Sequence, residues 1–189
     1  MAELWLIRHG QTDWNLEGRY QGQADVPLNA TGLAQAETFA AGLDGRSFTA
    51  LYSSDLLRAY QTAQVIAARV GLAVQTDPRL REINQGEWQG RTLDEIRAVY
   101  NESKQAKRGL IDPAAARAPG GESVLEVSQR MARAADDIAR AVPSGPVLVI
   151  SHGLALATLY CQAKGIPLSE VYAYIADNTQ AAVIEWPGL

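Results

Sequence analysis

Two stretches decide the fold: Glu3-Leu4-Trp5-Leu6-Ile7-Arg8-His9-Gly10 and Pro146-Val147-Leu148-Val149-Ile150-Ser151-His152-Gly153. In each, an apolar run without polar alternation ends in a polar residue, a histidine and a glycine. Such runs suit strands buried on both faces, as in a parallel sheet. In open α/β sheets, ligands bind in the crevice beyond the carboxyl ends of the strands. His9 and His152 are the only two histidines of the chain. The whole histidine supply therefore falls where such a fold does its chemistry.

Strand and helix signals alternate outward from these two stretches. Asn29 and Thr31 offer caps for a helix reaching about Leu43. Ala50-Leu51-Tyr52-Ser53 reads as a short second strand, and Ser54 and Asp55 are expected to open a helix carrying Leu56, Ala59, Ala63, Ile66 and Val70 on one face. Arg69 in its last turn and Gly71 at its end form a stop signal. Thr92-Leu93-Asp94-Glu95 and Ser123-Val124-Leu125-Glu126 are capping boxes, the second followed by Val127, Met131, Ile138 and Val142 at helical spacing. A helix from Gly153 to about Lys164 and a last strand near Ala181–Glu185 complete the series. Gly10–Asn29 is expected to hold no regular element and Asp77–Arg91 to be a loop. Residues 92–122, with Pro113, Pro119 and Gly120-Gly121, read as a partly helical insertion over the site. The alternation predicts a single α/β domain over residues 1–189 with a largely parallel sheet.

Composition narrows the function. At 189 residues, 47% hydrophobic and 20% charged, the chain has globular composition and enough length for a real core. A net charge of −4 argues against nucleic acid or an anionic membrane as partner, because those need a basic footprint. An acidic chain handling an anionic substrate must concentrate its positive charge locally. The one cysteine, Cys161, excludes an internal disulfide and reads as a buried structural thiol. Arg8 breaks the N-terminal apolar run, which is no signal peptide, and no run approaches a membrane span. The expectation is a soluble, cytoplasmic protein, with homodimerisation left open.

Arg8-His9-Gly10 puts a guanidinium beside an imidazole at a strand-to-loop turn. Arginine suits bidentate phosphate binding, and histidine can form covalent intermediates. Arg58 on the following helix can add a second clamp. Two arginines and a second histidine would balance the roughly −1.5 to −2 charge of a phosphomonoester. Singly these signals are weak, since a lone strand-end histidine is more often a satisfied polar group than a catalyst. A zinc reading of His9, His152 and Glu82 is chemically legitimate, but it leaves no use for Arg8 and Arg58, whose charge would repel a cation.

The combination resembles a known family. Arg8-His9-Gly10-Gln11-Thr12-Asp13-Trp14-Asn15 is similar to the opening motif of the histidine phosphatase superfamily, in its phosphoglycerate-mutase-like branch. The likeness continues through Gly18–Gly22, Asp25–Leu28, Ser53–Ala59 with Gln61–Ala63, Leu80–Ile83 with Gly86–Gly90, Pro119–Ser123 and Ser151–Gly153. It implies a three-layer sandwich and a metal-free, cofactor-free phosphomonoesterase of the histidine acid phosphatase type. His9 would attack phosphorus, and Arg8, Arg58 and His152 would hold the phosphoryl oxygens. Asn15, Gln21, Gly22, Gln23 and Gly153 would contact phosphate or substrate. Glu82 would protonate the leaving oxygen and then deprotonate water. The substrate implied is a small phosphorylated metabolite, with Asn84, Trp88 and Tyr100 as further pocket-shaping candidates.

Two alternatives stand beside this reading. A cofactor-dependent phosphoglycerate mutase would be expected to carry a longer insertion and a tail that shields the phosphoenzyme, whereas this sequence ends at Leu189 soon after its last expected strand. The Gly86-Glu87-Trp88-Gln89-Gly90 stretch resembles the phosphatase side. An inactive phospho-ligand or protein-binding module would be expected to have lost His9, Glu82 or His152, and all three are present. After the second histidine the chain reads Gly153-Leu154-Ala155-Leu156-Ala157, without the arginine that several branches have there.

Overall fold

The computed structural model describes residues 1–100 and 117–187; the core of the expected insertion, 101–116, lies outside the described residues. Five strands, β1 (Ala2–Arg8), β2 (Ala50–Ser53), β3 (Val74–Thr76), β4 (Val147–Ser151) and β5 (Ala181–Trp186), form one sheet in the order β3-β2-β4-β1-β5. The first four are mutually parallel, and β5 pairs antiparallel with β1. The sheet is thus mixed, with its one reversed strand at an edge. The helices are α1 (Asp13–Leu16), α2 (Ala30–Ala41), α3 (Leu57–Val70), α4 (Leu93–Tyr100), α5 (Val124–Ala141) and α6 (Gly153–Lys164).

The apolar runs explain the layering. Along β4, Val147 and Val149 face a core shared with α5 and α6, while Leu148 and Ile150 face a second core shared with α2 and α3. Along β1, Leu4 and Leu6 join the first core and Ile7 the second. A strand between two helical layers needs apolar residues on both faces, which is why neither run alternates. The result is three layers, with Met131 and Ile138 of α5 on one side and Ala59, Ala63 and Ile66 of α3 on the other.

Local chemistry sets most helix ends. Asn29 caps α2 by accepting from Gly32 N–H at 2.9 Å, so Asn29 rather than Thr31 is the cap. Both expected capping boxes form, Thr92 with Glu95 and Ser123 with Glu126. Gly71 and Gly165 end α3 and α6 in the left-handed region, at φ 71° and 66°.

Several expectations need correction. Gly10–Asn29 does contain a regular element, the single turn α1, capped by Thr12 with Asn15. The Asp77–Arg91 loop contains two 3-10 turns, Pro78–Leu80 and Gly86–Trp88. α3 starts at Leu57, not at Ser54 or Asp55. The Ser54 hydroxyl is engaged with His152 and Leu56 N–H, and the Asp55 carboxylate is held by Arg81. The cap comes instead from Asp25, whose carboxylate accepts from Leu57 N–H at 2.7 Å. Cys161 is buried as expected, and burial pushes its thiol up. Among the described residues, no helix is long and apolar enough to cross a membrane.

Candidate active site

Three strand ends converge. Parallel pairing puts Arg8 opposite Ser151 and Ser53 opposite Ile150. His9 N–H extends the ladder by donating to the Ser151 carbonyl at 3.0 Å. His9 and His152 consequently stand side by side, ring centroids 5.1 Å apart and planes at 60°. Both rings are buried, 3% and 0% exposed.

The hydrogen bonds assign the protons on His9. Nδ1 lies 2.7 Å from the Gly10 carbonyl, which can only accept, so Nδ1 carries the proton. Nε2 faces the Arg58 Nε–H at 3.3 Å and must therefore be the nitrogen with the free lone pair. Burial, reinforced by Arg58 and Arg8, drives the imidazole well below its ordinary value of 6.5 against the opposing pull of the Gly10 carbonyl. The ring is neutral at neutral pH, with its unprotonated nitrogen turned to the arginine.

His152 is held from the opposite nitrogen. Its Nε2 lies 2.8 Å from Ser54 Oγ. Ser54 Oγ accepts from Leu56 N–H at 3.3 Å, and among the described residues Nε2 is the one acceptor its hydroxyl proton meets, so the hydroxyl is assigned as the donor to Nε2. The proton of neutral His152 then sits on Nδ1, a buried atom with no protein partner. Burial first, then Arg58 and His9, push this ring well below its usual range. An N–H donor without a protein acceptor is what a phosphoryl oxygen would occupy.

Arg58, on the first turn of α3, is fully buried. Beyond His9 it donates to the Gly22 carbonyl at 2.7 Å and the Ala24 carbonyl at 2.8 Å, so it also fixes the loop after α1. Desolvation lowers its guanidinium to about 10 despite Glu82 and Asp25, and it stays cationic at neutral pH. Arg8 donates to the Ala176 carbonyl at 2.7 Å and keeps a buried Nε–H without partner. Gly153 makes room for it, because a Cβ there would lie 2.8 Å from Ile175 Cγ2 and 3.4 Å from Arg8 Nε.

Glu82 sits on the N-terminus of α6. Its carboxylate accepts from Ile83, Ala155 and Leu154 N–H at 2.9, 3.1 and 3.2 Å. Four elements thus deliver Arg8, His9, Arg58, His152 and Glu82 to one place. Asn15 borders the same loop, with its Oδ1 spent on Thr12 N–H and hydroxyl and its amide nitrogen unpartnered among the described residues. Gln21 presents a buried Oε1 without partner.

Gln23 and Asn84, expected near the substrate, make hydrogen bonds within the protein. Gln23 uses its amide on the Glu82 carbonyl at 3.0 Å and on Glu122 at 3.4 Å. Asn84 shapes its turn by accepting from Gly86 N–H at 2.8 Å. Trp88 meets Tyr20 edge-on at 6.0 Å. Tyr172, unremarked in the sequence, has a phenol raised by burial, Tyr20 and Glu82 although much of its ring is in solvent. The side chain of Tyr100 lies outside the described residues. Among the described residues, no three His, Cys, Asp or Glu side chains form a group able to hold a metal.

Sequence reasoning also missed the loop before β5. Asn178 donates to the His9 carbonyl at 2.8 Å, and Thr179, at φ 55°, donates its N–H to the Arg8 carbonyl at 3.0 Å. The polar run Asp177-Asn178-Thr179-Gln180 was the available signal. Because β5 is antiparallel to β1, its entry lies beside the carboxyl end of β1. Ser54 and Arg130 were likewise passed over.

The profile of the histidine phosphatase superfamily (branch 1) matches residues 4–188. The chain belongs to that superfamily. It is 39% identical over 167 residues to a protein named probable phosphoglycerate mutase GpmB from Yersinia pestis (strain Pestoides F), covering 88% of this chain and 77% of that one. A mycobacterial glucosyl-3-phosphoglycerate phosphatase, solved as a complex with VO3, superimposes with a TM-score of 0.84 at 30% identity over the full length of both chains. An alpha-ribazole phosphatase from Shigella flexneri superimposes with a TM-score of 0.87 at 30% identity, over 97% of this chain and 90% of that one. Superfamily neighbours thus include phosphatases and mutase-like proteins, on the same mixed sheet flanked by helices.

Proposed function

We propose that this superfamily member hydrolyses a small phosphomonoester through a phosphohistidine on His9. The observation that carries the reading is the hydrogen-bond pattern of His9, with Nδ1–H on the Gly10 carbonyl and Nε2 unprotonated beside Arg58. In the first step the Nε2 lone pair forms a bond to phosphorus while the bond to the leaving oxygen breaks. The ring becomes cationic, and the Gly10 carbonyl on Nδ1–H stabilises that charge. Glu82, protonated for this step, gives its proton to the leaving oxygen. Arg8, Arg58 and the Nδ1–H of His152 hold the phosphoryl oxygens, whose charge changes most along a loose transition state. In the second step the Glu82 carboxylate takes a proton from water, the water oxygen bonds to phosphorus, and the N–P bond breaks. Neutral His9, protonated Glu82 and inorganic phosphate result.

The mutase reading rests on the 39% identity to a probable phosphoglycerate mutase. Phosphoglycerate adds a carboxylate that needs a cation of its own. Three arginines near the Glu82 loop are already engaged: Arg79 with Asp77 and Asp137, Arg81 with Asp55, and Arg130 with Glu122. Those three are not available to such a carboxylate, which supports the hydrolysis reading over the mutase one.

The deciding experiment is phosphate release by chelator-treated protein from an aryl phosphate, phosphoserine, 3-phosphoglycerate and a ribazole 5′-phosphate, with rapid acid-labile phosphoprotein trapping. Release that resists chelation, with a trapped intermediate absent from His9→Ala, is expected. Conversion of 3-phosphoglycerate to its isomer without phosphate release would establish the mutase. Silence in both would leave a phospho-ligand binding module.

A further inference from the structure

We propose that Arg130, locked to Glu122, positions Glu82 for proton transfer; the inference rests on the general-acid reading of Glu82 above. Arg130 lies on α5 and spends all five of its N–H donors within the protein. Nη1 donates to the Arg79 and Arg81 carbonyls at 2.8 and 2.5 Å. Nη2 donates to the Glu82 carbonyl at 2.9 Å and to Glu122 Oε2 at 3.0 Å, and Nε donates to Glu122 Oε1 at 2.9 Å. A planar guanidinium can serve three carbonyls and a carboxylate at once, which an ammonium cannot.

The grip is centred on one residue. Arg130 holds the main chain at and before Glu82, and Glu122 holds it just after by accepting from Asn84 N–H at 2.8 Å. Gln23 closes the ring by donating to both the Glu82 carbonyl and Glu122. Gln23 belongs to the loop whose neighbouring carbonyls, Gly22 and Ala24, are held by Arg58. The phosphate clamp and the proton donor are therefore tied to a common frame, so their separation is set by Arg130, Glu122 and Gln23. A half-buried ion pair is a weak source of stability compared with apolar packing. Elsewhere α5 buries apolar side chains such as Val127, Met131 and Ile138, so the charged pair here has a positional use.

The test compares Arg130→Met, Arg130→Lys and Glu122→Gln with Glu82→Gln on an aryl phosphate, which leaves without protonation, and on phosphoserine, which needs it. If the frame sets the donor, Arg130→Met lowers kcat on phosphoserine by about 100-fold, as expected for ångström-scale misplacement, and on the aryl phosphate only a few-fold, with KM nearly unchanged. Arg130→Lys recovers only part of the loss. The double variant with Glu82→Gln falls within about threefold of Glu82→Gln alone, because both remove one function. Equal losses on the two substrates, or losses that multiply in the double variant, overturn the proposal. Should Arg130→Met fail to fold by circular dichroism, Arg130→Lys and Glu122→Gln carry the same comparison, and the absence of a selective loss in both overturns it. Glu82→Gln without leaving-group selectivity overturns the general-acid reading and this inference with it. A selective Glu82→Gln beside a non-selective Arg130 series sinks the inference alone.

Discussion

The two X-His-Gly triplets look alike in sequence and stand next to each other in space, yet the protein holds them by opposite nitrogens. His9 is fixed through Nδ1 by the backbone carbonyl of Gly10, which leaves Nε2 unprotonated and facing Arg58. His152 is fixed through Nε2 by the hydroxyl of Ser54, which leaves Nδ1 with the proton and without a protein partner. Their glycines differ as well. A Cβ on Gly10 would run into the carbonyl of Gly32, where the start of α2 packs on the loop, whereas Gly153 opens α6 and clears space for Arg8. One tautomer, Nδ1–H in both rings, is held by opposite nitrogens and so presents a lone pair on one side and a donor on the other. Burial keeps both rings neutral, and second partners decide which nitrogen works.

If that contrast holds, the two histidines should fail differently. On the phosphohistidine reading proposed above, His9→Ala removes the nucleophile, and turnover should fall by about 10⁴-fold or more, with no trapped phosphoprotein. His152→Ala removes one charge-stabilising donor and should cost about 10²- to 10³-fold, while a phosphoprotein still forms slowly. Rapid-quench trapping of both variants checks this. A His152→Ala protein that never becomes phosphorylated, or a His9→Ala protein that does, would reverse the assignment of roles.

Much of this site was legible because its signals are local. The two buried strands, both capping boxes and the span of α6 follow from short-range pattern and cap chemistry, and the helix over Gly153–Lys164 matches the expected span. The Arg8, His9, Arg58, Glu82 and His152 group followed from a family likeness on specific motifs. What escaped was set by distant partners. Ser54 and Asp55 carry the composition of a helix start, but His152 and Arg81 claim their side chains, and Asp25 caps α3 from another loop. The α1 cap uses Asn15 where a box usually has Glu or Gln, so the turn was overlooked. Asn178 and Thr179 reach His9 and Arg8 only because β5 runs antiparallel, and strand direction is not written in a single strand. Arg130 reads as an ordinary helix charge until the carbonyls it collects are seen together.

The neutral, buried state of both rings also predicts a pH dependence of stability. Each ring has its folded value pushed below the unfolded 6.5, so below that pH the unfolded chain binds protons that the fold does not. The stabilisation is complete above about pH 6.5 and is lost as the pH falls, by up to about 1.4 kcal/mol per histidine per pH unit. Melting temperatures should decline from pH 6.5 to 5, a window in which most carboxylates remain ionised, and His9→Gln and His152→Gln should each flatten the decline. A decline of unchanged slope in both variants would assign it to other groups.

The smallest expected effect is the sharpest probe of the comparison. Ser54→Ala deletes the hydroxyl that fixes the His152 tautomer but leaves His9, Arg58 and Glu82 untouched. One net hydrogen bond is worth about 1 kcal/mol, so kcat should fall by about tenfold or less. The informative quantity is the tautomer itself. In the unaltered protein, nitrogen NMR should report His152 as the Nδ1–H form and His9 likewise protonated at Nδ1, since in both rings Nε2 is the acceptor. Without Ser54, His152 loses its reason to keep the proton on Nδ1 and should become a mixture, whereas His9 should stay fixed by Gly10. The phosphoryl group would then meet a lone pair for part of the time, where a donor is needed. A His152 that keeps its Nδ1 proton in Ser54→Ala would mean that the burial and charge around the ring, and not the hydroxyl, set its tautomer.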